Sequence, residues 1–147
     1  MNQEIPLHEL LGFEFTAPPQ GSTVAEVHMP VQPQAFGFTS NLHGGAIATL
    51  VDLSCALAAA RASGFDPAKE SLVTADMHVR YLGRPTTARV TARSEIVRMG
   101  SQLIVIDCKV ADGDGHVIAV ADFSMMRVPL RRPLDPSITG EPGDPEL

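Results

Sequence analysis

The order of patterns along this 147-residue chain predicts an α+β domain in which one long helix lies against an antiparallel sheet of about five strands. Three observations lead there. Residues 41–60 form an almost wholly apolar run of helical length that opens on His43-Gly44-Gly45 and contains one charge, Asp52. From Ser71 onward the apolar period changes from 3.6 to 2 and stays there through four successive runs. Short glycine-bearing connections, at Met99-Gly100 and at Asp112-Gly113-Asp114-Gly115, separate the later runs as antiparallel hairpins require.

Each element has its own signal. Leu7, Leu10 and Leu11 recur at helical spacing behind Pro6, which predicts a short helix ending before Gly12. Thr23–Met29, bounded by Gly21 and Pro30, reads as a strand, and a loop rich in Pro, Gln and Phe (Pro30–Ser40) leads into the central helix. That helix is expected to end near Gly64, ahead of the Asp66-Pro67 break. In Ser71–Leu82, Val73, Ala75, Met77, Val79 and Tyr81 alternate with Thr74, Asp76, His78 and Arg80, placing Thr74 on the polar face. Strands over Thr86–Val97, Gln102–Ala111 and His116–Val128 complete the sheet. Prolines 129, 133, 136, 142 and 145 then mark residues 129–147 as a tail with little structure of its own, leaving 1–128 as a single domain.

The bulk properties narrow the class. A chain of this size buries roughly 70% of its unfolded surface around one core. A 44% apolar composition with a net charge of -6 predicts a soluble globular protein with no general affinity for nucleic acid. Cys55 and Cys108 lie in apolar runs without CxxC spacing and read as reduced, buried thiols of a cytoplasmic protein. The N-terminus lacks the pattern of a signal peptide, and Asp52 interrupts the longest apolar stretch short of a bilayer span, so no membrane partner is expected.

Asp52 and the glycines are the candidate chemistry. An ionised carboxylate in a helix that is apolar all round needs a strong partner or a task. The first turn of a helix presents N–H groups without internal partners, and Gly44 and Gly45 let an anion or a developing oxyanion approach them. The alternatives are a glycine pair that only permits a turn or close packing and a structural carboxylate held by a neighbouring backbone or basic side chain. Asp52 lies within ~20° of the face of Gly45 but ~10 Å along the axis. Groups acting on one atom must lie within ~3 Å or one water of it. One helix therefore cannot bring both to the same carbonyl, whereas two antiparallel copies across a two-fold axis can. Ala48, Ala56 and Ala59 are expected on that face, leaving room for a neighbour or a ligand.

The segment Leu42-His43-Gly44-Gly45-Ala46-Ile47-Ala48-Thr49-Leu50-Val51-Asp52 resembles the signature of the hotdog-fold acyl-CoA thioesterases of the phenylacetate-degradation (PaaI-like) type. The similarity continues through Val73–Leu82 and, more loosely, to Val128. The resemblance implies a sheet wrapped around the helix, a homodimer with composite sites, itself paired as a dimer of dimers, and an acyl-CoA substrate without cofactor or metal. By position it implies that Asp52 is the carboxylate acting as base or nucleophile and that the Gly44 N–H polarises the carbonyl. It gives His43 a part in shaping the site and Thr74 the placing of the attacking water. Gly45, Asn41 and the hairpin residues Arg98, Gly100 and Ser101 become candidate substrate contacts. One position departs: many members carry Asn or Gln where this chain has Gly37, so Gln34, Asn41 or a water must stand in.

Other designs find no support. There is no GxSxG elbow, His8, His28, His43, His78 and His116 lack metal-ligand spacing, and no phosphate-binding glycine loop is present. Nine of the 11 Lys and Arg residues fall between Arg80 and Arg132, where they are available to the phosphates of a CoA. The competing function is a non-catalytic acyl-CoA-binding protein, a sensor or carrier, which Gly37 favours and Asp52 with Thr74 disfavours.

Overall fold

The computed structural model describes residues 4–140. Helix α1 (Pro6–Leu10) has Pro6 in its first turn, where the missing N–H is tolerated. Then come β1 (Val24–Pro30), α2 (Gly44–Ser63), β2 (Glu70–Tyr81), β3 (Arg89–Met99), β4 (Leu103–Asp112) and β5 (Val117–Pro129). All pairings are antiparallel and the strand order is β1-β3-β4-β5-β2. The two strands flanking α2 in sequence are thus the two edges of the sheet, and α2, which joins them, touches all five strands.

Both ends of α2 are set by local chemistry. His43, extended at ψ 131°, caps the helix by accepting the Gly45 N–H on Nδ1 at 2.8 Å. At the other end Gly64 takes the left-handed conformation, φ 57°, which a residue with a Cβ adopts only at a cost. Leu50, Val51 and Cys55 of α2 pack on Val27, Val90, Ile104, Ile106 and Phe123 of the sheet. Each such large apolar side chain contributes about 1.5–3 kcal/mol on full burial. Two buried hydroxyls tie helix to sheet: Ser94 Oγ donates to Ser54 Oγ at 2.7 Å, and Ser54 Oγ donates to the Ala92 carbonyl at 3.1 Å. Cys55 and Cys108 are free and buried, and contact with Cys108 together with burial keeps the Cys55 thiol protonated.

Although α2 is long and apolar enough to cross a membrane, it is the core helix of the fold. Only eight of its 20 residues are buried, however. Asp52, Leu53, Ala56, Leu57 and Ala60 lie on a face the sheet does not cover, so in one protomer Asp52 is half-exposed rather than a buried charge. Ala59, expected on that face, is fully buried. The segment before β1 reaches back to the end of α2, where the Gly21 N–H donates to the Arg61 carbonyl at 2.8 Å.

Beyond β5 the chain follows the start of β2: the Leu130 N–H donates to the Lys69 carbonyl and the Arg131 N–H to Ser71 Oγ, both at 3.1 Å. A short 3₁₀ turn over Pro136–Ile138 follows, and Pro142 and Pro145 lie outside the described residues.

The β4–β5 hairpin is organised by one carboxylate. Asp112 accepts from Thr86 N–H and Oγ1 at 2.8 Å each, and from the N–H groups of Asp114 and His116 at 3.0 Å. These bonds, the Thr86 N–H foremost, lower its pKa from 3.8 to about 2. Folding therefore gains from this group fully above pH 3.8, and the gain disappears as pH falls through that value toward 2. Asp112→Ala is expected to lower the Tm at pH 7, with the gap to wild type narrowing below pH 4 in thermal scans. A gap independent of pH would remove the carboxylate from this role.

Candidate active site

Two groups of side chains meet α2 at different heights. At mid-helix the Thr74 hydroxyl donates to Asp52 Oδ1 at 2.8 Å. A regular strand would not deliver Thr74 there, because strict alternation sets it with Asp76, His78 and Arg80 on the face away from α2. The register shifts between Thr74 and Asp76, leaving Ala75 as an extra residue in a β-bulge. The bulge reverses the parity, so Thr74 shares the helix-facing side with Leu72, Val79 and Tyr81. The strand pattern thus placed Thr74 on the wrong face, and the bulge is the reason.

Among the described residues, no Lys, Arg or His nitrogen lies within 4.0 Å of the Asp52 carboxylate. The reading in which a cation merely neutralises it is therefore not met in the protomer. His8, on α1, registers its charge: burial lowers the His8 pKa and the Asp52 charge partly offsets that.

At the helix N-terminus the Tyr81 hydroxyl donates to the Gly44 carbonyl at 2.8 Å, and its ring lies 3.4 Å from where a Gly44 Cβ would stand. The first-turn donors are unequally available. The Gly45 N–H is taken by His43 Nδ1, and those of Ala46 and Ile47 reach the His43 carbonyl. Only the Gly44 N–H is left without a partner among the described residues. Because His43 Nδ1 accepts, the ring's proton is assigned to Nε2. Gly44 and Asp52 are eight residues apart on one helix, ~12 Å along the axis.

The sequence profile of the thioesterase superfamily matches residues 39–119, from the loop before α2 to the start of β5. The chain belongs to the thioesterase superfamily. The reaction of the family is thioester hydrolysis, and the curled five-stranded sheet around one helix is its hotdog fold. A thioesterase of Staphylococcus aureus, solved as a mutant, is 25% identical over 84% of this chain and 98% of its own, with a TM-score of 0.76. A mutant thioesterase of Pseudomonas aeruginosa is 26% identical over 84% of this chain and 86% of its own, also at 0.76. The PaaI protein of the Escherichia coli phenylacetic acid degradation operon shares the fold at 20% identity and a TM-score of 0.70, with 82% of this chain and 83% of that one covered. No curated protein matches the chain in sequence.

The remaining candidate residues of this thioesterase-superfamily chain fall in three places. Asn41 directs its side-chain amide to Thr39 Oγ1 at 3.3 Å while its backbone carbonyl accepts the Gly37 N–H at 2.8 Å, closing the turn before α2. Gly37 faces His43, whose Cδ2 lies 3.7 Å from where a Cβ would stand. Arg98, Gly100 and Ser101 sit on the β3–β4 hairpin, and a second bulge, between Ile96 and Arg98, pairs Arg98 with Val105 on the side away from α2. No hydrogen bond or ion pair joins them to Asp52 among the described residues. Tyr81 and His8 were not among the sequence candidates. Tyr81 had a faint signal as the only tyrosine, on the apolar side of its strand's alternation, whereas nothing in the sequence connects His8 with Asp52.

Proposed function

We propose that the protein hydrolyses the thioester of an acyl- or aryl-CoA at two composite sites in a cytoplasmic homodimer. The observation that supports this best is the Asp52–Thr74 pair, at 2.8 Å, on the uncovered face of α2 with no cation within 4.0 Å among the described residues to neutralise it. The free Gly44 N–H lies too far along the same helix to serve the same carbonyl, so the donor comes from the second protomer. Among the described residues strand β2, 12 residues long, pairs only with β5, which leaves its other edge for pairing with a second copy.

At such a site water adds to the thioester carbonyl carbon while Asp52, steadied by Thr74, takes its proton. The Gly44 N–H of the second protomer stabilises the oxyanion, with the His43 ring beside it. Collapse of the intermediate expels the CoA thiolate, which recovers the proton from Asp52. Direct attack by the carboxylate, forming an anhydride that water then opens, uses the same groups. An apolar groove of about 440 Å³ begins one residue past Asp52 and is lined by Leu53, Ala56, Leu57, Phe65 and Leu130, suiting an acyl or aryl group. The arginines of the second half of the chain and the Arg98–Ser101 hairpin are assigned to the CoA moiety.

A panel of short, medium, long and aryl acyl-CoAs, followed by thiol release, tests the reading, with turnover expected for at least one class. The second reading, acyl-CoA binding without hydrolysis, draws on Gly37, which supplies no side-chain donor beside His43. Tight binding with no thiol released from any member of the panel would establish it.

A further inference from the structure

The apolar groove beside Asp52 has a length fixed by its walls, and both walls start at the Asp52–Thr74 pair. Leu53, Ala56, Leu57 and Ala60 follow one another along a single face of α2. Leu72 and Glu70 run the same way down β2, which is antiparallel to the helix and joined to it by residues 64–69. That connection closes the far end: after the left-handed turn at Gly64, Phe65 and Pro67 enter the lining. Leu130, the first residue past β5, enters it there as well. Its place is fixed by the bonds of its own N–H to the Lys69 carbonyl and of the Arg131 N–H to Ser71 Oγ.

The end of the groove is apolar and firm. Glu70 is the one charged residue in the lining among the described residues, and its carboxylate is already engaged: Oε2 accepts from Arg127 Nη2 at 3.2 Å and from the Asp66 N–H at 3.3 Å. Leu130 nevertheless leaves 54% of its surface exposed, apolar area that the end of a bound chain would cover. The two walls give one length. From Asp52 to Ala60 the helix advances ~12 Å, and from Thr74 to Glu70 the strand advances ~13 Å. An extended alkyl chain advances about 1.3 Å per carbon, so about nine carbons beyond the thioester carbonyl bring it to Phe65 and Leu130. A benzoyl or arylacetyl group ends within about 6 Å of its carbonyl carbon, level with Ala56, and leaves the half toward Leu130 empty.

We propose that the groove selects straight medium-chain acyl-CoAs of about eight to ten carbons, with Leu130 and Phe65 as the stop against which the chain ends. This inference rests on the proposed hydrolysis at Asp52 and adds to it the acyl group that is presented. The open side of the groove lies on the α2 face that the second protomer covers in the composite-site dimer, so a bound chain is enclosed. Each methylene buried strengthens binding about fourfold until the stop is met. A longer chain has to displace Leu130 or fold back on itself, and loses what the extra methylenes would have gained. The segment after β5 thus sets specificity through its first residue, although it adds no group to the chemistry.

Thiol release from straight-chain acyl-CoAs, butyryl to palmitoyl, and from benzoyl-CoA tests it on the full chain. For the wild type kcat/KM is expected to rise about fourfold per methylene, to peak at octanoyl- or decanoyl-CoA and to fall about tenfold by myristoyl-CoA. Leu130→Ala removes the stop and moves the peak up by about two carbons. Ala60→Phe lays a ring over the preceding helical turn, toward Ala56, and moves the peak down by about four. Opposite shifts read the length of the groove, whereas a general defect of folding lowers kcat/KM for every chain alike. If no thiol is released, the same acyl-CoAs serve as calorimetric ligands. Affinity that peaks at the same length and shifts in the same two directions then upholds the selection by length while the hydrolytic reading fails. An optimum at benzoyl-, butyryl- or palmitoyl-CoA, or one optimum shared by the wild type and both variants, would overturn the proposal even where hydrolysis is rapid.

Discussion

Replacing Asp52 by Asn is expected to lower kcat for thiol release by about 10³-fold with little change in Tm. Loss of a positioned general base or carboxylate nucleophile has effects of this order, about 4 kcal/mol of transition-state stabilisation. The fold is indifferent to the change for a structural reason. The Thr74 hydroxyl donates to Asp52 Oδ1, and an amide oxygen in the same place accepts that bond. No cation within 4.0 Å among the described residues is left unpaired when the charge goes. Substrate affinity, measured by calorimetry with a slowly hydrolysed acyl-CoA, should change little, since the carboxylate acts on water or on the carbonyl carbon rather than anchoring the CoA. Turnover undiminished in Asp52→Asn would exclude the mechanism, and a Tm lowered by many degrees would show that the carboxylate had been a structural group.

The helix and the strands were legible in the sequence because each depends on a local period or a local breaker. Gly64 ends α2 in the left-handed conformation as its position after the apolar run implied, and all five strands lie within a few residues of their alternating patterns. From spacing alone the candidate site was legible only where it lies on one element: His43, Gly44 and Asp52 keep the relation that helix geometry dictates, while Thr74 was set beside Asp52 by the family resemblance. Features set by one extra residue were not. Nothing in Val73-Thr74-Ala75-Asp76 marks Ala75 as a bulge, yet that bulge turns Thr74 toward Asp52. Burial was misjudged for a related reason. Uniform apolarity suggested a helix enclosed on all sides, whereas one protomer covers a single face and leaves Asp52, Leu53 and Ala56 half-exposed. Tyr81 reaches Gly44 across 37 residues of chain, a contact fixed by how α2 crosses β2 and not by any spacing within either.

Gly44→Pro removes one hydrogen atom that matters and leaves the helix in place, so it isolates the oxyanion donor. Gly44 is the first helical residue, where proline is well tolerated, and His43 before it is already extended, at ψ 131°, as a residue preceding proline must be. The Gly45 N–H and its bond to His43 Nδ1 are retained. The Tyr81 ring, 3.4 Å from the new Cβ, has to give only a few tenths of an ångström. Loss of one such donor is expected to reduce kcat by about 10²–10³-fold. The decisive measurement mixes this variant with Asp52→Asn after unfolding and refolding together. If Asp52 of one protomer works with Gly44 of the other, a mixed dimer holds one site damaged twice and one site with both groups intact. Random association then returns about a quarter of wild-type activity per chain from two nearly inactive proteins. If both groups served a site within one protomer, every site in the mixture would stay damaged and no activity would return. Recovery near a quarter thus links the ~12 Å between Gly44 and Asp52 on one helix to a site that only two helices can complete.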